Sequence, residues 1–567
     1  MNIQQLNNLV SVSEQIALDD LHELKRLGVT MIICNRPDDE EKDQLPFAKV
    51  QAAASMLRME AVYLPFVKEN MSLNDIDQCA NILSKKKRLH MYCLSGQRSS
   101  PLWSLAAMKL GQQEDLIISS VQDASYKIST ESLNALIEKK LFENIAEQPL
   151  KALQQTRLQY FDVLIIGGGN VGISVCASLL KRDKSLNIGI IEPSKSLYYQ
   201  PGWTMVGGGV FDINSTKKLL KDYIPKGVTW IKDKAQSIFP EKHMVQIQNT
   251  EYLHYQQLII APGLELHWEA VEGLPETLGK NGVTSNYRYD LAPYTWEIVR
   301  NLNKGKAIFT QPSMPIKCAG APQKVMYLSA DHWLKEHQLV NMDIDFFSQA
   351  EGIFGVPAYV PSLEKYLAKY SVNTHFQHNL VKVDGERQIA FFNTKDDKGN
   401  DTVVEQFFDL LHVCPPQRAP EFIRESSLAD ENGWLDVDPQ SLVHRQYGNI
   451  WGLGDVINAP NAKTLAAVRK QVPVVAENLL NSLRGKSPAA AYSGYGSCPL
   501  TVERGKIVLA EFIYGGKHAP TFPEWMNNGT KPTRFGWILK KTLLPWVYWH
   551  IMLKGREWLA KPETLKK

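Results

Sequence analysis

Apolar residues in this chain come in short runs set between stretches of helical period. Near the N-terminus, VTMIIC, AVYLP and RLHMYC read as strands, and FAKVQAAASMLR carries its apolar positions at helical spacing. That alternation predicts a small α/β domain around a parallel sheet over residues 1–147. The polar stretch from Glu147 to Gln159 is then a linker (148–160), followed by a larger α/β body over 161–489. A C-terminal part, 490–567, holds one more cysteine-bearing strand and an aromatic tail.

The body opens with FDVLIIGGGNVGISVCASLLK. An apolar strand leads into Gly167, Gly169 and Gly172 in GxGxxG spacing, for a tight turn, close approach of backbone to a pyrophosphate, and close packing of helix on strand. The next apolar run, IGIIE, ends on Glu192, placed for a ribose hydroxyl, and the helix after the glycines offers its N–H groups to phosphate. Two later pieces suit the same dinucleotide. YQQLIIAPG ends on Gly263, and NIWGLGDV places Gly454 and Asp455 after a short strand, with a helix from about Thr464 aimed at a flavin ring.

A nicotinamide cofactor would need a second such loop, and KAIFTQPSMPIKCAGAPQKVMYLSADHWLKEH has the outline of strand, loop and helix. Its loop is wrong for pyrophosphate: Pro312, Pro315 and Pro322 remove backbone donors, the glycine pattern is missing, and the following strand ends in Gln349 where an acid is wanted. In its place stands Cys318, after Lys317 and near a helix start, both of which favour thiolate. A buried cysteine that only packs is the competing reading. Cys498 lies in a Gly/Ser/Pro turn before an apolar strand, a poor place for core packing. Lys317 and Lys463 are candidates to tune a thiol pair, Lys463 being equally readable as a surface lysine.

Formal charge is +3 on a chain of 567 residues with 44% apolar content, which argues for globular domains and against nucleic acid as a partner. Seven cysteines without CxxC spacing make neither a disulfide framework nor a zinc site, so no metal is expected. Cys34, Cys79, Cys176 and Cys414 read as packing residues. The N-terminus has no signal-peptide pattern, so export is not expected.

From Phe161 to Lys561 the chain resembles sulfide:quinone oxidoreductases, through GGGNVG, EPSKSLYYQPGWTMVGGG, KCAGAPQKVMYLS, FGVPAY, GLGDVINAPNAKT, GSCPL and LPWVYWHIMLKG. The resemblance implies a two-Rossmann-type, flavoprotein disulfide-reductase-like body that binds FAD. It further implies that Cys318 and Cys498 join through a disulfide or a bridging sulfur at the flavin. Hydrosulfide would attack at Cys498 and leave a persulfide there, while sulfur on Cys318 passes two electrons to the flavin. Quinone would reoxidise the flavin, and a thiol or sulfite would take the sulfur. A type II NADH:quinone dehydrogenase is the alternative, and lacks its second GxGxxG here.

The tail, RFGWILKKTLLPWVYWHIMLKGREW, interleaves Trp537, Trp546, Trp549 and Trp558 with Lys540, Lys541, Lys554 and Arg556. It is too short in apolar length to span a bilayer and suits the headgroup layer, with a helix packed on the core as the plainer reading. The expectation is a cytoplasmic protein, peripheral on the inner face of the membrane; homo-oligomerisation is left open.

In the front domain, RLHMYCLSGQRSS sets Cys93 and Arg98 around a loop of four residues before a helix near Ser99. Such a loop aims backbone N–H groups at whatever sits on Cys93, with Arg98 able to fork onto an anion. Over about residues 1–115 the chain resembles beta-lactamase-hydrolase-like, phosphatase-like proteins through NRPDDEEK, YLPF and CLSGQRS. The loop is one residue shorter than in tyrosine phosphatases and matches rhodanese spacing, which argues against phosphatase activity and favours Cys93 as an acceptor or carrier of persulfide sulfur. A non-catalytic sensing module is a further reading. Asp38 and Asp39 are either a general acid or a solvated turn, the turn being favoured.

Overall fold

The computed structural model describes residues 1–124 and 159–565, apart from 68–70, 72, 86, 111–113, 250 and 461. The expected linker lies almost wholly outside the described residues. Two compact units divide the chain, Met1–Arg157 and Leu158–Lys567.

The first unit is built on a five-stranded sheet in the order Gln4–Gln5, Val10–Ser13, Leu89–Tyr92, Met31–Cys34, Glu60–Tyr63, parallel except for the first pair. The three strands expected from sequence are all present, and Phe47–Met56 is helical as its spacing predicts. Met31–Cys34 and Leu89–Tyr92 are fully buried, which explains their unbroken apolar runs, since both faces of the sheet meet a core there; Glu60–Tyr63, at the edge, is only partly buried. Tyr92 leads directly into the Cys93 loop, at the carboxyl end of a central parallel strand, where open α/β sheets place their ligands.

The second unit is organised on two larger sheets, of seven and five strands, with smaller ones beside them. In the first, Gln159–Ile166 sits between Ile188–Ile191 and Tyr252–Ile260 in parallel register, and Ile450–Gly452 adds to the far side of Tyr252–Ile260. The helix Asn170–Arg182 follows the glycine loop. The second sheet runs Val283–Thr284, Leu410–His412, Gly305–Gln311, Met342–Ser348, Val372–Phe376, all parallel, and the helix Ala321–Lys335 rises from the loop after Gly305–Gln311.

Residues 490–565 belong to this unit. The hairpin Gly496–Glu503 and Lys506–Ile513 lays Cys498, Leu500 and Val502 into one core with Val325, Met326 and Tyr327 of the helix Ala321–Lys335. That apolar seam, by burying one face of a strand against one face of a helix, carries Cys498 to the loop bearing Cys318. The tail folds as Arg534–Ile538, a π-helical turn Leu539–Leu543, the helix Leu544–His550 and the turn Met552–Lys554. Its Tyr548, Trp549, Met552 and Leu553 enter the core of the first sheet. Among the described residues no helix is long and apolar enough to cross a membrane.

Candidate active site

One cavity of about 420 Å³ runs from the glycine loop to Cys318, with Ser497 and Pro499, the neighbours of Cys498, also on its wall. Its lining includes Gly169, Glu192, Gly263, Asp455, Lys463, Cys318 and Lys324. Gly167 has φ +99°, and a Cβ there would meet the carbonyl of Ala261 at 2.4 Å; a Cβ on Gly172 would lie 1.9 Å from the Gly167 oxygen. Gly169 and Gly263 face open space, with nothing within 4 Å of a Cβ built on either. Gly169 also precedes the first turn of the helix Asn170–Arg182, so its neighbourhood is a cradle of free N–H groups. The Glu192 carboxylate accepts from Gly168 N at 2.9 Å and from Ser194 N at 2.7 Å, which fixes it at the rim, and burial raises its pKa. Gly454, at φ +85°, donates to Gln471 Oε1 at 2.9 Å, turning the chain so that Asp455 borders the cavity. Thr464 caps the helix Leu465–Leu483 through Ala467 N. Trp203 Nε1 and both amide atoms of Asn286, all buried on this lining, have no partner within the protein. Orphaned polar atoms and an open glycine cradle fit a bound dinucleotide.

At the far end Cys318 Sγ and Cys498 Sγ lie 3.4 Å apart, both as free thiols. Three features hold them there. Cys318 takes a left-handed φ of 53°, its N–H bonded to Lys463 O at 2.9 Å and its carbonyl to Ala321 N at 2.7 Å. Lys317 is tied by its N–H to Gln417 Oε1 and by its carbonyl to the Tyr287 hydroxyl. Gly320 lets the strand approach, because a Cβ there would sit 2.6 Å from Cys498 Sγ and 2.3 Å from Leu500 Cδ2. The Lys324 ammonium, 3% exposed, donates to Cys318 Sγ at 3.0 Å. The pair titrates as one: the hydrogen bond from Cys498, with Lys324 behind it, holds Cys318 well below the usual thiol range against its burial, while Cys498 is driven well above that range. Both shifts favour the charge on Cys318 and the proton on Cys498.

In the first unit, Arg98 N donates to Cys93 Sγ at 3.4 Å and the helix begins at Ser99, where expected. Arg98 does not present a free fork. Its Nη2 is paired with Glu40 Oε1, and Glu40 also accepts from Arg36 Nε at 2.8 Å. Asp38 Oδ1 accepts from Phe47 N at 2.8 Å at the start of a helix, so this carboxylate caps an element in place of serving as an acid.

A family model described as beta-lactamase hydrolase-like protein, phosphatase-like domain, matches residues 2–109. A mitochondrial sulfide:quinone oxidoreductase of Dictyostelium discoideum is 42% identical over 403 residues, covering 70% of this chain and 87% of that protein. The mitochondrial sulfide:quinone oxidoreductase of Mus musculus is 35% identical over 412 residues, covering 73% and 90%. The chain belongs to the sulfide:quinone oxidoreductase family. It is a flavin-dependent oxidoreductase acting on sulfide and quinone, and the NADH dehydrogenase alternative is not favoured. The crystal structure of the sulfide:quinone oxidoreductase of Aquifex aeolicus shares the fold, with a TM-score of 0.59, 18% identity, and coverage of 72% of this chain and 98% of that one.

Two lysines of this oxidoreductase take places its sequence did not suggest: Lys324 lies on the sulfur, and Lys540, expected among the headgroup-facing residues of the tail, is buried. Lys317 and Lys463 were the nominated tuning residues, whereas the ammonium on the thiolate is that of Lys324. Lys540, from the π-helical turn, is the second: it lies buried by Pro499 O at 3.4 Å, and burial, with repulsion from Lys324, lowers its pKa to about 7. Lys463 is not a surface lysine. Its Nζ donates to the carbonyls of Asp455 and Ile457 at 2.7 and 2.8 Å and lies 3.8 Å over the Trp434 ring, burial lowering its pKa to about 8. Cys414, read as a packing residue, is buried beside Tyr287 and Ile316 in the cluster that supports Cys318, and burial pushes its thiol up to about 12.

Proposed function

We propose that this chain oxidises hydrosulfide at Cys498 and Cys318, passes the electrons through FAD to a quinone drawn from the membrane, and hands the sulfur to a thiol or sulfite. The observation that carries the reading is the pair of sulfurs 3.4 Å apart, one of them bonded by a buried ammonium, at the end of a dinucleotide cavity. Two S–S bonds of about 2.05 Å meeting at a bent central sulfur span roughly 3.3 Å, so the spacing accommodates a single bridging sulfur with little movement.

Gly167, Gly169, Gly172 and Glu192 would hold the dinucleotide half of FAD, and Gly263, Gly454, Asp455 and Lys463 would border the ring; bound there, the flavin supplies a two-electron acceptor. Hydrosulfide attacks Cys498 in the oxidised pair, a new S–S bond forms on Cys498, and the bond toward Cys318 breaks. The electron pair of the broken bond stays on Cys318. Lys324 stabilises that leaving thiolate and so lowers the barrier of the step. Transfer of the outer sulfur from Cys498 to an acceptor thiol gives a new persulfide and frees the site.

The tail supports a membrane-peripheral placement, proposed on the inner face. Trp546 is 52% exposed and Trp558 is 46% exposed, and Trp558 lines the cavity together with Val547, Tyr548 and Met552. Quinone would reach the site past those residues. In the front unit Cys93 serves as an acceptor or carrier of persulfide sulfur, supported by the Arg98 N–H on its sulfur and by the short loop.

Anaerobic addition of sulfide should bleach the flavin absorbance of the holoenzyme within the mixing time of a stopped-flow instrument, and NADH should not. Bleaching by NADH alone would overturn the reading.

A further inference from the structure

A phosphatase-type loop binds dianions through the charged fork of its arginine, which must be free to turn both N–H groups on the ligand. Around Cys93 that charge is spent. Arg98 and Glu40 form an ion pair with side chains only 12% and 24% exposed. Glu40 is anchored from behind by Arg36, which is itself buried and further held by Glu41 Oε2 at 2.7 Å and Gln15 Oε1 at 3.0 Å. Two arginines and two glutamates sum to no net charge. Burial works against an ionised Glu40, yet the bonds from Arg36 and Arg98 hold its carboxyl below the usual range, so it stays ionised. Asp38, which could have served a phosphate ester as acid, is engaged as a helix cap.

We infer that Glu40 is a specificity residue that makes the Cys93 loop a receptor for sulfane sulfur presented as a neutral or monoanionic persulfide, and shuts out dianions such as phosphate esters and thiosulfate. The inference rests on the carrier reading of Cys93 and adds its substrate class. An entering dianion meets a carboxylate where a bare guanidinium would be, and gaining Arg98 requires breaking a partly desolvated ion pair. A persulfide makes no such demand. The Cys93 sulfur bonds the outer sulfur of R–S–S⁻, the S–S bond breaks, and the Cys93 proton leaves with the thiol RSH. Cys93 is left as a persulfide anion facing the Arg98 N–H, and no electron is gained or lost.

The test uses the full chain and peptide mass spectrometry of the Cys93 segment, following the gain of about 32 Da for one sulfur. Cysteine persulfide should load Cys93 at least about tenfold faster than thiosulfate, and Glu40→Gln should narrow the ratio to about twofold. In the same variant, inorganic phosphate should begin to protect Cys93 from alkylation, as it should not in the wild type. Equal loading from both donors in the wild type, or a folded Glu40→Gln with the ratio unchanged, would refute the inference. Should Glu40→Gln fail to fold, Glu40→Asp, which withdraws the charge by one methylene, must narrow the ratio in part. If the wild type loads from neither donor, the carrier reading falls. Phosphate protection then still decides the role of Glu40, since its absence in Glu40→Gln refutes that role.

Discussion

The chain carries two cysteine sites, each next to a cation at or in the start of the following helix, and they handle charge in opposite ways. At Cys318 the buried ammonium of Lys324 bonds the sulfur itself, on the wall of the cavity. At Cys93 the guanidinium of Arg98 is turned to Glu40, and only its backbone N–H meets the sulfur. On the roles proposed above, the difference lies in what each sulfur must do. A leaving thiolate gathers a full negative charge and needs a counter-ion, whereas a carrier that takes sulfur from a persulfide trades one soft anion for another.

The sharpest way to break that contrast is to remove a sulfur of the pair. Cys498→Ser or Cys318→Ser should lower the rate of sulfide-driven flavin bleaching by about 10³-fold or more, since no S–S bond is left to attack. Next in size, Lys324→Met should reduce kcat/KM for sulfide by about 10²-fold. It should also move the pH midpoint of Cys318 alkylation upward. The sign follows from the lowered pKa of Cys318 in the folded protein. Its thiolate stabilises the fold above the pKa of an unfolded thiol, and that contribution fades as pH falls through the folded value. The gap in Tm between wild type and Lys324→Met should therefore shrink on acidification. Gly320→Ala places a methyl against Cys498 Sγ; a loss of about 2 kcal/mol in denaturant unfolding, together with slower turnover, is expected.

Legibility followed locality. Glycines in GxGxxG and a cysteine in KCAGAPQK are short-range patterns whose chemistry is written in neighbouring residues, and they marked the cavity and one of its thiols. Lys324 was within reach of the same logic. Side chains in a first helical turn lean back toward the N-terminus, and Lys324, in the first turn of Ala321–Lys335, leans toward residue 318. Lys540 and Glu40 were not legible. Lys540 arrives from a segment folded in by its own packing, and Glu40 meets Arg98 only because two strand ends and a loop converge in space. The strands of both units were readable because buried parallel strands are apolar without interruption. The π-helical turn carries no comparable sign.

The last residues have a structural task besides any dealings with lipid. Gly555, with φ 63°, presses so near Ala177 that a Cβ would fall 2.4 Å from its carbonyl carbon, and Glu557 takes Arg182 Nη2 at 2.8 Å and the Ser178 hydroxyl at 2.7 Å. Those three partners all sit on the helix behind the glycine loop. Clipping the chain before the tail to obtain a detergent-free enzyme would strip the back of that helix and open the first sheet to water. The terminus works as a buttress, and whatever loosens it loosens the helix that would grip the nucleotide.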